Sequence, residues 1–162
     1  MTLHQRKLLL KSFILSQFSY CPLVWMLHSR KLNNRINKLH YRALKLTYQD
    51  ENSSFDDLLE RDNSFTIHDR NIQSLGIELF KVAYGIAPEI MRLIFPTKQN
   101  IKYPWQNIFQ TSKIKTTTWG TESLRHIGPK IWNSIPIKTK KKSFKQFKIE
   151  IRSWKPICPC RM

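Results

Sequence analysis

The stretch from Phe18 to Tyr48, FSYCPLVWMLHSRKLNNRINKLHYRALKLTY, constrains this chain more than any other. Its second half is written at helical period. Leu32, Ile36, Leu39, Ala43 and Leu46 recur at 4-3-4-3 spacing, and Arg35, Lys38, Arg42 and Lys45 at 3-4-3. At about 100° per residue each set gathers on its own face, with the cations roughly a quarter turn from the apolar set. The spacing predicts one helix over residues 31–48, with a core face and a flank of cations able to track phosphates.

Charge extends that reading to the whole chain. Its 162 residues carry 28 Lys/Arg against 11 Asp/Glu, a net +17, which points to a polyanionic partner. Residues 1–50 hold +8, residues 51–100 hold −3 and residues 101–162 hold +12, so two basic segments flank a mildly acidic middle. Nucleic acid is the leading partner and an anionic membrane surface the second. The early apolar run is interrupted by Lys11, Ser12, Ser16, Gln17 and Ser19, so it is a poor membrane span and lacks a signal-peptide layout. Three cysteines are too few for a disulfide framework. The expected compartment is intracellular, nucleus or cytoplasm, without secretion or membrane contact.

In chain order the pattern is almost wholly helical. Residues 3–20 read as a helix with Leu8, Leu9, Phe13, Leu15 and Phe18 as buried candidates, ended or kinked by Pro22. Leu23 to Leu27 continue an apolar surface. Ser53 and Ser54 precede Asp56 and Asp57, a Ser-x-x-Asp pattern like a capping box before a short helix, Phe55 to Arg61, and Thr66-x-x-Asp69 opens the next. In that helix Ile72, Leu75, Leu79 and Val82 should face the core, and Gly85 is a C-cap. Pro88 starts a further turn that Pro96 closes. Residues 97–112 are a linker or loop. Lys113 to Trp119 is the single good strand candidate, being Thr-rich and alternating. Gly128-Pro129 reads as a breaker before a short helix that Pro136 stops. Ser143-x-x-Gln146 caps the last helix, where Phe144, Phe147, Ile151 and Trp154 form an apolar stripe. Beside it run Lys145, Lys148, Arg152 and Lys155. The fold class is mostly α: a small helical bundle over 1–96 and a basic C-terminal helical appendage over 113–162, with at most a minor strand pair.

Catalytic chemistry is poorly represented. Phe55-Asp56-Asp57 has the composition of a polymerase metal-binding turn, but it follows two serines and opens a helix, where acids suit the macrodipole. The histidines at 4, 28, 40, 68 and 126 have no metal spacing, and Cys158 and Cys160 supply two thiols where a structural zinc needs four ligands. No phosphate-binding loop or nucleophile elbow occurs. The expectation is no catalytic residue, no metal and no cofactor. The two basic rows remain. Each borders aromatic-rich surface and has almost no acid to neutralise it, a combination suited to sequence-independent backbone contact.

Several segments also resemble a known family. Leu10 to Met26, LKSFILSQFSYCPLVWM, is similar to the segment just after the catalytic palm in reverse transcriptases of non-LTR (LINE-type, jockey-like) retrotransposons. Leu39-His40-Tyr41-Arg42-Ala43-Leu44 resembles their LxxRA helix. Gly128-Pro129-Lys130-Ile131-Trp132-Asn133-Ser134-Ile135-Pro136 resembles their downstream Trp-Asn-x-Leu-Pro signature, with Ile135 for the usual Leu. The resemblance implies that 1–96 is thumb-like, a helical element that packs on a palm and grips the template–primer duplex. Palm, fingers and endonuclease are absent here, so it further implies a non-catalytic C-terminal fragment of an RNA-directed DNA polymerase. The implied partners are RNA and/or DNA, and a palm domain supplied by the full-length element. The alternatives are a domesticated interaction or structural module using the Phe13–Met26 apolar surface, and a relic without function.

Overall fold

The computed structural model describes residues 1–27, 29–99, 101–111, 113 and 123–157. The chain is mostly helical, and it divides into two compact units, Met1–Asn71 and Ile72 onward. Among the described residues there is no strand, only an isolated antiparallel bridge between Thr97 and Phe109. Residues 114–119 of the predicted strand and the Cys158-Pro159-Cys160 tail lie outside the described residues.

The first unit opens with α1 (Leu3–Leu9), which Thr2 and Gln5 start with a reciprocal capping box. A π-helical turn (Leu10–Leu15) and α2 (Ser16–Ser19) continue it. This interruption corrects the expected buried set. Bonds in a π-helix run i to i+5, so Leu10 and Leu15 share a face that an α-helix would split. Both are buried, while Leu8, Leu9 and Phe13 face solvent and Phe13 is 69% exposed. Ser12 and Ser19 hydroxyls donate to the carbonyls of Leu8 and Leu15, at 2.8 and 2.9 Å, and Ser16 does the same to Ser12. Cys21, at φ 43°, turns the chain into α3 (Pro22–Trp25), with proline in the first helical position.

Next come α4 (Arg30–Tyr48) and α5 (Phe55–Arg61). The Ser54 hydroxyl accepts from Asp57 N at 3.2 Å, and the Asp57 carboxylate accepts from Ser54 N at 3.1 Å. The core joins Leu10, Leu15, Ile36, Ala43, Leu44, Tyr48, Leu58, Leu59 and Ile67. A polar cluster ties α1, α4 and α5 at its edge. Tyr48 Oη donates to Asp62 Oδ1 at 2.7 Å, Lys7 Nζ pairs with the same oxygen at 3.4 Å, and Arg6 Nε donates to the Thr47 carbonyl at 2.6 Å.

Helix α6 (Ile67–Ala83) crosses the unit boundary, and its Ile72, Leu75, Leu79 and Val82 are buried as their spacing predicts. Gly85, at φ 71°, ends it in the left-handed conformation that glycine adopts without strain. The second unit continues through α7 (Glu89–Ile94), α8 (Leu124–Ser134), α9 (Ile137–Lys140) and α10 (Phe144–Ser153). Its core is aromatic. The Phe80 ring lies 4.2 Å from Tyr84, 4.3 Å from Phe147 and 6.5 Å from Trp132 between centroids, and Trp132 lies 5.7 Å edge-on from Phe109.

Gly128-Pro129 does not break the chain as expected. Helix α8 runs through it from Leu124, with Pro129 buried inside. Proline removes one helical bond there, but Gly128 has a packing role: a Cβ on it would meet Phe95 Cε1 at 2.6 Å. The glycine lets α8 approach a buried ring.

Candidate nucleic-acid interface

Helix α4 carries no acid along its whole length. Its buried residues are Ile36, His40, Ala43, Leu44, Thr47 and Tyr48, whereas Leu32, Leu39 and Leu46 are exposed, Leu39 by 54% and Leu46 by 75%. The core face is therefore rotated from the one that apolar spacing predicts. Counting about 100° per residue, the buried set centres about 100° from the leucines and about 180° from the cations. The cations are not a quarter turn from the core but opposite it.

The rotation has a local cause. His40 and Thr47 are polar by type but buried. Thr47 Oγ1 donates to the Ala43 carbonyl at 2.8 Å, and the His40 ring sits edge-on to Phe55 at 5.5 Å. Neither His40 nitrogen has a hydrogen-bond partner. Burial, with the Arg70 charge adding to it, lowers its pKa to about 4, so the ring is neutral at ordinary pH.

Arg35, Lys38 and Arg42 are exposed, and no described ion pair involves them. Lys45 is half-buried, with Nζ 4.4 Å from the centre of the Tyr41 ring. Three acids of the same unit are engaged elsewhere. Asp50 takes Ser53 and Arg61, Asp57 caps α5, and Asp62 takes Tyr48 and Lys7. Hydrogen bonds from Ser53 and Ser54 hold the Asp50 and Asp57 carboxyls below the usual carboxylate range.

On α10 the apolar stripe is as read: Phe147 and Ile151 are fully buried, and Phe144 and Trp154 partly so. Lys145, Lys148, Arg152 and Lys155 are all exposed. The single acid of that helix, Glu150, pairs with Lys142 rather than with the row. Each unit thus presents its own row of cations that no described ion pair engages.

Two features of the second unit escape sequence reasoning. Lys140, inside the basic run 138–142, is buried with Nζ 4.9 Å from the Trp132 ring centre, and burial lowers its pKa to about 8. Tyr103 and Trp105 stack at 4.7 Å and 13° in the segment after α7, where periodicity offers no signal. An aromatic pair two residues apart among lysines was the available clue.

Among the described residues no three His, Cys, Asp or Glu side chains gather as a metal site, and no helix is long and apolar enough to cross a membrane. The chain is thus a helical protein with an acid-free basic row on each unit. No family model matches it, and neither a curated protein nor a solved structure does.

Proposed function

We propose that the chain is a non-catalytic, thumb and post-thumb region of a non-LTR retrotransposon reverse transcriptase, acting inside the cell on template–primer nucleic acid. Its role is to hold backbone phosphates without reading sequence. The observation that carries this is the outer face of α4, where Arg35, Lys38 and Arg42 point away from the core with no carboxylate in the helix. The α10 row adds a weaker second contact through Lys145, Lys148, Arg152 and Lys155. The three segments that resemble the family supply the particular assignment. Phosphate contact by the three exposed α4 cations alone makes affinity fall about fortyfold between 50 and 200 mM salt. Fluorescence anisotropy with two RNA–DNA hybrids of unrelated sequence tests this. Equal affinities and a steep salt dependence are expected, whereas a strong preference for one sequence, or indifference to salt, contradicts the reading.

One observation favours a second reading, a protein-interaction module. Between Phe13 and Met26 the chain exposes Phe13, Tyr20 at 79% and Val24 at 84%, more apolar surface than an isolated helical segment needs. A module of that kind retains its protein partner when Lys38 and Arg42 become alanine, and it does not retain nucleic acid through purification.

A further inference from the structure

The second unit holds a cavity of about 440 Å3, within the range of about 300–1,000 Å3 usual for small-ligand sites. Its lining is unusual in charge. Arg92, Lys98 and Lys102 contribute, no carboxylate does, and none of the three cations is in a described ion pair. Apolar side chains such as Val82, Ile101 and Ile108 complete the walls. An apolar ligand would strip water from three cations without replacing it, which is costly. An anion with an apolar body fits both parts of the lining.

Tyr103 supplies the remaining chemistry. It lines the same cavity, is 38% exposed and stacks on Trp105. Lys102 Nζ lies 5.4 Å from the Tyr103 ring centre, and Lys141 Nζ lies 5.2 Å from that of Trp105. Cations beside a partly exposed aromatic pair form a platform on which any base can stack, with the lysines within reach of phosphates. The platform is already ordered. Trp132 Nε1 donates to the Gln106 carbonyl at 2.9 Å, Lys98 N to the Ile108 carbonyl at 2.7 Å, and Gln110 N to the Pro96 carbonyl at 2.8 Å. Phe109, wholly buried, anchors the same segment. A preformed site spends less of its contact energy on ordering.

We propose that this cavity holds an unpaired nucleotide, its phosphate among Arg92, Lys98 and Lys102 and its base against the Tyr103–Trp105 pair. The guanidinium of Arg92 suits a phosphate by its planar fork of donors. The choice of ligand rests on the nucleic-acid reading above. The site itself uses no residue of the α4 or α10 rows, so the two can fail separately.

The test is tryptophan emission of the full chain titrated with a five-nucleotide oligouridylate and, in parallel, with uridine monophosphate. The strand quenches saturably, and Trp105→Phe removes most of the change. Tyr103→Ala weakens binding by about tenfold or more, and Arg92→Gln with Lys98→Gln flattens the salt dependence by roughly one unit. Ile149→Ala, at an exposed position outside both cation rows and the cavity, leaves the quenching midpoint in place. Circular dichroism and the urea midpoint confirm that each variant is folded. Quenching by the monophosphate as strong as by the strand identifies the source as a free nucleotide and still supports the site. Absence of saturable quenching by either, or quenching that Tyr103→Ala and Arg92→Gln/Lys98→Gln leave untouched, overturns it.

Discussion

Helices α4 and α10 both set a row of cations against a buried face, but they bury different material. Helix α10 buries Phe147 and Ile151 and flanks them with partly buried Phe144 and Trp154. Helix α4 buries a histidine and a threonine in the middle of its core face and leaves three leucines outside. Large rings leave α10 one way to sit, because no other arc could hide them. On α4 the apolar residues spread over a wide arc, and neighbouring chemistry chooses the face: Phe55 receives the His40 ring, and Arg6 reaches the carbonyl of Thr47. Thr47 is satisfied by its own backbone and the unbonded His40 ring is neutral, so both pack as core, with the cations on the opposite side of the helix.

The largest effects should come from deleting what each face truly buries. Phe147→Ala removes a ring packed against Phe80 and is expected to cost the second unit about 3–5 kcal/mol in urea denaturation. Leu44→Ala should cost the first unit about 2–5 kcal/mol. Their exposed neighbours sharpen the contrast, since Ile149→Ala and Leu39→Ala should stay within about 0.5–1 kcal/mol. A Leu39→Ala cost equal to that of Leu44→Ala would restore the core face drawn from leucine spacing.

The buried titratable groups separate the units again, by pH. The unfolded chain protonates His40 near 6.5, but the native ring takes a proton only near 4. The unfolded state binds more protons across that window, so the first unit loses stability as pH falls from 6.5 to 4, by about 3 kcal/mol. His40→Leu should flatten this part of the stability profile, as followed by urea midpoints against pH. In the second unit the sign is the same, in a more alkaline window. Lys140 is lowered from 10.5 to about 8, so stability rises as pH climbs between those values.

A smaller effect probes α8. Alanine is the better helix former by about 1 kcal/mol, but Gly128→Ala drives a Cβ into Phe95 and should destabilise by about 1–3 kcal/mol. Thermal denaturation decides it. A gain in stability would mean that Phe95 moves aside freely, and that Gly128 is not held by packing.

Much of the helical outline is legible in the residues. Ser54-x-x-Asp57 marks the start of α5, Gly85 marks the end of α6, and Ser143 marks the start of α10. Each of these is a local signal, set by capping or by a left-handed turn. What a wheel could not show depends on contacts distant in sequence. The π turn at Leu10–Leu15 breaks the 3.6 period, and Gly128 reads as punctuation until Phe95 lies against it. The cation rows are legible as residue lists, since Arg35, Lys38, Arg42, Lys145, Lys148, Arg152 and Lys155 are all exposed. Their freedom from acids is only partly legible, because the pairing of Glu150 with Lys142 joins residues eight positions apart across a turn.

The central claim, that the outer face of α4 holds backbone phosphates, meets its most direct test in the salt dependence of hybrid-duplex binding. Lys38→Ala with Arg42→Ala is expected to reduce the log–log slope by about two units while leaving the urea midpoint unchanged. Lys148→Ala with Arg152→Ala should reduce it less. A slope that stays at the wild-type value in the α4 variant would contradict the account.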